Sequence, residues 1–141
     1  MECLICAKHD GDGPLAGPVV FADELVVVSH RTGGALGYLF VETRRHVATL
    51  DALTVAEAEA VARAARLAAA SLRAELDPEF VFTFVAGRSH AHFHQHVFAR
   101  HRGTPDELPW HAEWAGAPTG DAAELCARLS PYFPPCCAPG R

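Results

Sequence analysis

A single long helical segment at residues 55–76 separates two groups of short β-branched segments in this chain. Thr54 and Glu57 form a capping-box pattern before it, and alanine dominates its interior. Its apolar stripe at helical spacing is formed by Val61, Ala64, Ala65, Leu67, Ala68 and Leu72. The segment ends at Asp77-Pro78, because a residue before proline is disfavoured in helical geometry. The sequence therefore predicts one helix from about Val55 to Leu76.

Short segments rich in β-branched and aromatic residues surround this helix, at residues 18–21, 25–29, 38–43, 80–86 and 90–100. A short helix is predicted over residues 121–129, whereas residues 3–17 and 103–120 are predicted to be irregular. Consecutive strands joined by short turns pair antiparallel. The predicted fold class is therefore α+β, an antiparallel sheet of about five strands with one long helix and a short C-terminal helix.

The 141 residues suit a single domain, which we place at residues 1–130, and we expect the proline- and cysteine-rich tail at 131–141 to be flexible. The net charge of -5 argues against a nucleic-acid partner. No apolar run reaches the roughly 18–20 residues of a membrane helix, and the first residues lack the pattern of a secretory signal. The five cysteines are unevenly placed, so we expect a cytoplasmic protein with reduced thiols.

Histidines occupy every second position from His90 to His96. Side chains alternate between the two faces of a strand, so the pattern predicts that all four imidazoles project from one face. Histidine is the side chain best suited to proton transfer, metal ligation and phosphoryl capture near neutral pH. This row of histidines is therefore the first candidate for a functional site.

The segment around these histidines, GRSHAHFHQHVFAR at residues 87–100, resembles the signature of the histidine triad (HIT) superfamily. That signature is H-x-H-x-H followed by two apolar residues, with a glycine and often a serine just upstream. The match places the triad at His92, His94 and His96. The alternative register that starts at His90 would put two polar residues at the apolar positions.

Two further segments are similar to parts of the same family. Residues 37–47 match the strand that ends in a basic pair and a histidine, and residues 3–6 resemble the N-terminal thiol pair of many bacterial members. The resemblance covers most of the chain to about Arg102. It implies a HIT-like sheet and a homodimer formed by joining two sheets edge to edge around the long helix.

The resemblance also implies an enzyme, a HIT-type nucleotide hydrolase, phosphoramidase or nucleotidyltransferase whose substrate is a small nucleotide derivative. Its nucleophile would be His94, whose neutral imidazole attacks an α-phosphorus and forms a nucleotidyl-histidine. Ser89 and His96 would donate hydrogen bonds to the phosphoryl oxygens, and His92 completes the catalytic triad. Arg100 and Arg88 are further candidates for phosphate binding, because a guanidinium is planar and always charged.

A structural zinc ion is the cofactor that the resemblance implies. Cys3, Cys6, His46 and His92 stand where zinc-bearing relatives have ligands, and they would form a closed tetrahedral site. The alternative is a small buried thiol pair, with His46 in a surface hydrogen bond.

The chain departs from the family pattern in its nucleotide-binding residues. His30 stands where an acid commonly binds the ribose, asparagine is absent, and Arg88 replaces a frequent glutamine. One alternative is therefore a metal-dependent enzyme for a non-nucleotide metabolite, using the histidine row with His101 and His111. The other is a non-catalytic module that binds a nucleotide or a protein. Trp110 or Trp114 either covers the mouth of the active site or anchors its loop.

Overall fold

A five-stranded antiparallel sheet forms the centre of the computed structural model, which describes residues 2–135. Its strands are β1 (Val19–Ala22), β2 (Val26–His30), β3 (Tyr38–Thr43), β4 (Phe80–Phe84) and β5 (His94–Arg100). Their order across the sheet is β1-β2-β3-β5-β4, with every neighbouring pair antiparallel. The predicted α+β class and the number of strands are confirmed.

The helices are α1 (Leu4–His9), α2 (Val55–Leu76) and α3 (Ala122–Leu129), with single 3₁₀ turns at Leu50–Ala52 and Ser130–Tyr132. The predicted capping box at the start of α2 is present, because the Thr54 hydroxyl accepts from the Glu57 amide and the Glu57 carboxylate accepts from the Thr54 amide. The helix ends at Asp77, which adopts a left-handed conformation with φ of 45°. Both helix predictions are confirmed.

The hydrophobic core lies between one face of the sheet and helices α2 and α3. Its buried members from the sheet and helices include Val28, Leu39, Val41, Val97, Ala64, Ala68, Leu72, Leu125 and Leu129. Alanines on α2 let the helix approach the sheet closely, because they add little volume at the contact. Strands β3 and β5, in the inner part of the sheet, therefore have one face packed against this core.

The other face of the sheet carries aromatic and titratable side chains instead. Across β3 and β5, Phe40 is opposite His96, and Glu42 is opposite His94. This face is lined by α1 at one end and by the loop at residues 103–120 at the other. The candidate functional residues thus lie on the face that α2 does not cover.

The predicted strand at residues 90–100 is too long, because β5 begins only at His94. The Phe93 amide donates to the Val47 carbonyl at 2.6 Å, and the Phe93 side chain is buried in the core. This contact takes the preceding residues out of the sheet, so the expectation that four histidines project from one strand is wrong. The irregular structure predicted for residues 3–17 is also partly wrong, since α1 forms there.

The chain beyond α3 continues to pack on the domain, past the predicted boundary at residue 130. The Phe133 side chain is buried and stacks on Phe21, with ring centroids 5.3 Å apart. Residues 136–141 of the expected tail, which include Cys136 and Cys137, lie outside the described residues. Among residues 2–135, no helix combines the length and the apolar character that crossing a bilayer requires.

Candidate functional site

A cavity of about 260 Å³ opens on the face of the sheet away from α2. Its lining residues come from α1, the loops around it and strands β3 and β5: Ile5, Lys8, Leu15, Arg31, Thr32, Phe40, Glu42, Ser89, His90, His94 and His96. The ring centroids of His94 and His96 are 5.4 Å apart. The structure therefore brings together three of the predicted catalytic residues, namely Ser89, His94 and His96.

One ring nitrogen of His94 is hydrogen-bonded to the backbone. Its side chain is 4% exposed, and its Nδ1 lies 2.7 Å from the His92 carbonyl oxygen. A carbonyl oxygen only accepts, so Nδ1 carries the proton and donates. In the neutral form of the ring Nε2 then keeps its lone pair, which is the property a nucleophilic imidazole needs.

His96 is packed among aromatic rings. Phe84 stacks on it with centroids 4.1 Å apart and planes 9° from parallel, and the Tyr38 hydroxyl lies 2.7 Å from its Nδ1. Burial, together with the neighbouring His94, lowers the pKa of His96 to about 4. His96 is therefore uncharged at neutral pH and can serve as a neutral hydrogen-bond donor.

The two predicted arginines lie away from this cavity. Arg100 forms an ion pair with Glu79 and donates to the carbonyl oxygens of Pro105 and Leu108. It therefore anchors the loop at residues 103–120. Arg88 is exposed and is not among the residues that line the cavity.

The four predicted zinc ligands converge at the start of α1. The Nδ1 of His92 lies 3.5 Å from the sulfur atoms of both Cys3 and Cys6, and the Nδ1 of His46 lies 3.6 Å from the Cys6 sulfur. All four ligand atoms lie within 4.8 Å of one another. In a tetrahedral zinc site, bonds of about 2.3 Å to sulfur and about 2.0 Å to nitrogen separate these ligands by about 3.5 Å. The donor set and its spacing therefore fit zinc.

His92 belongs to this cluster and not to the cavity. Its Nε2 lies 2.6 Å from the Thr43 carbonyl oxygen, which fixes the proton on Nε2 and leaves Nδ1 free to bind a metal. Because the chain bends before His94, the side chains of His92 and His94 serve different sites. Within residues 2–135 this is the one group of three or more such side chains that could hold a metal ion.

The cavity wall contains a buried ion pair that was not predicted from the sequence. Glu42 is 2% exposed, and its carboxylate accepts from Lys8 at 3.1 Å and lies 3.0 Å from the Nε2 of His9. Burial raises the pKa of Glu42, but His9 and Lys8 outweigh it and hold the pKa below 4.5. The available signal was an acid two residues after Phe40, on the same face of a largely apolar strand.

His30, at the position of the missing ribose acid, stabilises a turn. Its Nδ1 donates to the Arg31 carbonyl at 2.8 Å, and its Nε2 accepts from the Gly37 amide at 2.9 Å. Burial lowers the pKa of His30, so the ring is neutral and makes both bonds. These bonds close the connection between β2 and β3.

The loop at residues 103–120 covers a second, smaller cavity of about 70 Å³. Trp110 packs on Phe82 and Phe84, which favours the role of a loop anchor at the edge of the site. The Nε2 of His101 donates to the Leu36 carbonyl at 2.7 Å, and His111 lies against Trp110. His101 and His111 are therefore placed at the smaller cavity and apart from His94.

Comparisons with known proteins agree with this architecture. The family model described as "HIT domain" matches residues 16–103. A zinc-bound histidine triad family protein from Mycobacterium smegmatis superimposes with a TM-score of 0.73 at 20% identity, over 94% of this chain and 93% of that chain. A member of the HIT family from Bacillus subtilis gives 0.62 at 25% identity, over 73% of this chain and 76% of that one.

A third similar structure is a hypothetical histidine triad nucleotide-binding protein from Sulfolobus tokodaii. Its TM-score is 0.70 at 17% identity, covering 92% of this chain and 91% of that one. At such identities the similarity shows the fold. A search of curated protein sequences gives no significant match.

Proposed function

This chain belongs to the HIT domain family, and on that premise we propose that it is a hydrolase or transferase for a nucleoside phosphoramidate or a related nucleotide phosphoanhydride. The observation that carries the proposal is the placement of His94, a buried imidazole whose Nδ1 donates to the His92 carbonyl. Its Nε2 has no hydrogen-bond partner among residues 2–135, and the ring lines the cavity of about 260 Å³. The description of the similar Sulfolobus tokodaii protein as nucleotide-binding supports the substrate class.

The proposed reaction has two steps. The Nε2 of His94 forms a bond to the α-phosphorus while the bond from phosphorus to the leaving group breaks, and a departing amine takes a proton from solvent. Water then attacks the nucleotidyl-histidine, releases its proton to solvent and frees Nε2; another acceptor in place of water makes the reaction a transfer. Ser89 and His96 donate hydrogen bonds to the phosphoryl oxygens, whose charge grows in the transition state. The low pKa of His96 favours this donor role over proton transfer.

Zinc is the cofactor that we propose for the cluster of Cys3, Cys6, His46 and His92. The spacing of their ligand atoms and the bond from His92 to Thr43 support it. With four protein ligands the site has no open position, so the ion would hold α1 against the sheet and take no part in the reaction.

A homodimer is the proposed assembly. Strand β4 is an edge of the sheet, and Phe80 on it is 51% exposed. An unpaired edge can extend the sheet by pairing with a second copy. Light scattering at several concentrations would test the mass, and a monomer at micromolar concentration would contradict it.

The test of the catalytic proposal compares two histidines that line the same cavity. His94→Asn should lower turnover of adenosine and guanosine phosphoramidates by about 10³-fold or more, because it removes the nucleophile. Mass spectrometry of quenched reactions should show a nucleotidyl adduct on the native protein and none on the variant. His90→Asn is the matched control and should keep the adduct.

Two outcomes would overturn the proposal. One is unchanged turnover in His94→Asn. The other is a native protein that neither turns over nor is thermally stabilised by any nucleotide in the panel.

A further inference from the structure

The Tyr38 hydroxyl makes a short hydrogen bond to His96, the second histidine of the cavity. Its oxygen lies 2.7 Å from Nδ1, and burial raises the pKa of Tyr38 above 10.0, so the phenol keeps its proton. Among residues 2–135, His96 is the one partner of this hydroxyl. If Nδ1 were the donor, the phenol proton would have no acceptor in the described part of the chain. The arrangement in which Tyr38 donates and Nδ1 accepts is thus the one that pairs both groups within the described residues.

This bond determines which nitrogen of His96 carries a proton. An imidazole that accepts at Nδ1 and is uncharged carries its proton on Nε2. Burial and the nearby His94 keep His96 uncharged, since its pKa is lowered to about 4. Phe84 stacks on the ring and keeps it from tilting. The result is a fixed Nε2–H donor in the wall of the cavity.

Tyr38 is itself held from both sides of its ring. Phe98 stacks on it with centroids 4.8 Å apart, and the guanidinium carbon of Arg31 lies 4.3 Å from the ring centroid. Two such groups cannot share one face of a ring, so they occupy opposite faces. The phenol is thus fixed in direction as well as in position.

The loop at residues 103–120 contacts Arg31, the residue that packs on the Tyr38 ring. A carboxylate oxygen of Glu113 accepts from Arg31 at 2.8 Å and from the Ala35 amide at 2.9 Å. The hydrogen bond from the Ala35 amide and then the charge of Arg31 lower the pKa of Glu113. Glu113 lies beyond residue 103, where the family match ends. Through Glu113 the loop therefore contacts Arg31, which also lines the cavity.

We propose that Tyr38, held by Arg31 and Glu113, is a positioning residue that fixes His96 as a neutral Nε2–H donor toward the substrate. The function of this donor rests on the proposed phosphoryl chemistry. The positioning itself is a property of the free protein, and it can be measured without substrate.

The first test is nitrogen NMR of the histidine rings in the free protein, with the His96 signals assigned by loss in His96→Gln. The native protein should show His96 protonated on Nε2. Tyr38→Phe removes only the hydroxyl and keeps the ring between Phe98 and Arg31, so His96 should become a mixture of both tautomers. Tyr132→Phe, at the other tyrosine of the chain, is the matched control and should leave the spectrum unchanged.

The second test is kinetic. Tyr38→Phe should lower kcat by about tenfold with KM within about twofold, a smaller loss than the roughly 100-fold expected when His96→Gln removes the donor. Because the donor contacts a phosphoryl oxygen, the loss should be equal for an amine and for a p-nitrophenolate leaving group. A loss confined to the amine would show that His96 protonates the leaving group and would overturn the proposal.

A third variant tests the loop. Glu113→Gln should shift the His96 signals in the same direction as Tyr38→Phe, but less. Glu79→Gln, which breaks the ion pair of Glu79 with Arg100 and leaves Arg31 untouched, is the matched control. Nε2–H in both the native protein and Tyr38→Phe would overturn the positioning role and leave the catalytic proposal intact. Inactivity toward every nucleotide, with the expected NMR result, would overturn the function and keep the positioning.

Discussion

The side-chain nitrogen of Lys8 lies 3.1 Å from the carboxylate of Glu42, and this ion pair joins α1 to the wall of the cavity that His94 lines. The first turn of the same short helix carries Cys3 and Cys6, two of the four predicted zinc ligands. It is therefore attached at both ends, by the cluster at its start and by Lys8 and His9 at its end.

Loss of one thiolate should release the metal. Cys6→Ser is expected to lose its bound zinc and to melt several degrees below the native protein, because structural zinc contributes to folding. Metal analysis and thermal unfolding measure both effects. Cys126→Ala is the control, since Cys126 is buried in the core outside the cluster and should change stability without changing zinc content. Full zinc content in Cys6→Ser would contradict the site, and His94→Asn should retain the metal.

Neutralising the acid in the cavity wall should destabilise the fold. Glu42→Gln leaves the buried ammonium of Lys8 without its counter-ion, which should lower the free energy of unfolding by about 3 kcal/mol. Urea unfolding measures the change. The exposed pair of Asp77 with Arg102 provides the comparison, and Asp77→Asn should leave stability unchanged within error. Equal stabilities for both variants would contradict the buried pair.

His96 should make stability depend on pH between about 6.5 and 4. Its pKa is about 4 in the folded chain and 6.5 in the unfolded one. Burial is the largest cause of this lowering, His94 and Arg31 lower the pKa further, and Glu42 raises it. Below pH 6.5 the imidazole is protonated in the unfolded chain but not in the folded one. The contribution of His96 to the free energy of unfolding is therefore complete above pH 6.5 and is lost as the pH falls toward 4. Urea unfolding at several pH values should show a steeper decline for the native protein than for His96→Gln. Parallel declines would contradict it.

Gly37 should tolerate no side chain. Its φ is 90°, and a Cβ there would lie 2.7 Å from a methyl carbon of Leu76 and 3.2 Å from the Ala99 Cβ. We expect Gly37→Ala to lower the free energy of unfolding by about 3 kcal/mol, from backbone strain and overlap together. Gly33→Ala is the matched control, because Gly33 also has a positive φ, of 73°, but a Cβ built there meets no atom within 4 Å. This substitution should lower the free energy of unfolding by only about 1 kcal/mol. Equal losses in thermal or urea unfolding would show that the overlap is relieved.

The elements that could be predicted from sequence are those whose signal is local. Helix α2 follows from its capping box, its apolar stripe and the proline that follows it, and the strands follow from β-branched runs. The bend at Phe93 could not be predicted in this way, because it depends on a backbone bond to Val47, far away in sequence.

The site shows the same division. The triad resemblance assigned His92 both to the catalytic triad and to the zinc site, whereas the structure places His94 and His96 at the cavity and His92 among the predicted zinc ligands. The ion pair of Glu42 with Lys8 was missed, because the two residues are 34 positions apart and meet only when α1 lies on the sheet. The predicted zinc ligands lie up to 89 positions apart and were found through the family resemblance, which offers no such pattern for Glu42 and Lys8.

Both tryptophans of this chain lie in the loop at residues 103–120, and Trp110 packs on Phe84, the ring that stacks on His96. The protein thus carries an intrinsic fluorophore one aromatic ring away from His96 in the cavity. A ligand that binds in the cavity and displaces Phe84 will alter the indole emission. Ligand titrations and stopped-flow measurements can therefore be made on the unlabelled native chain.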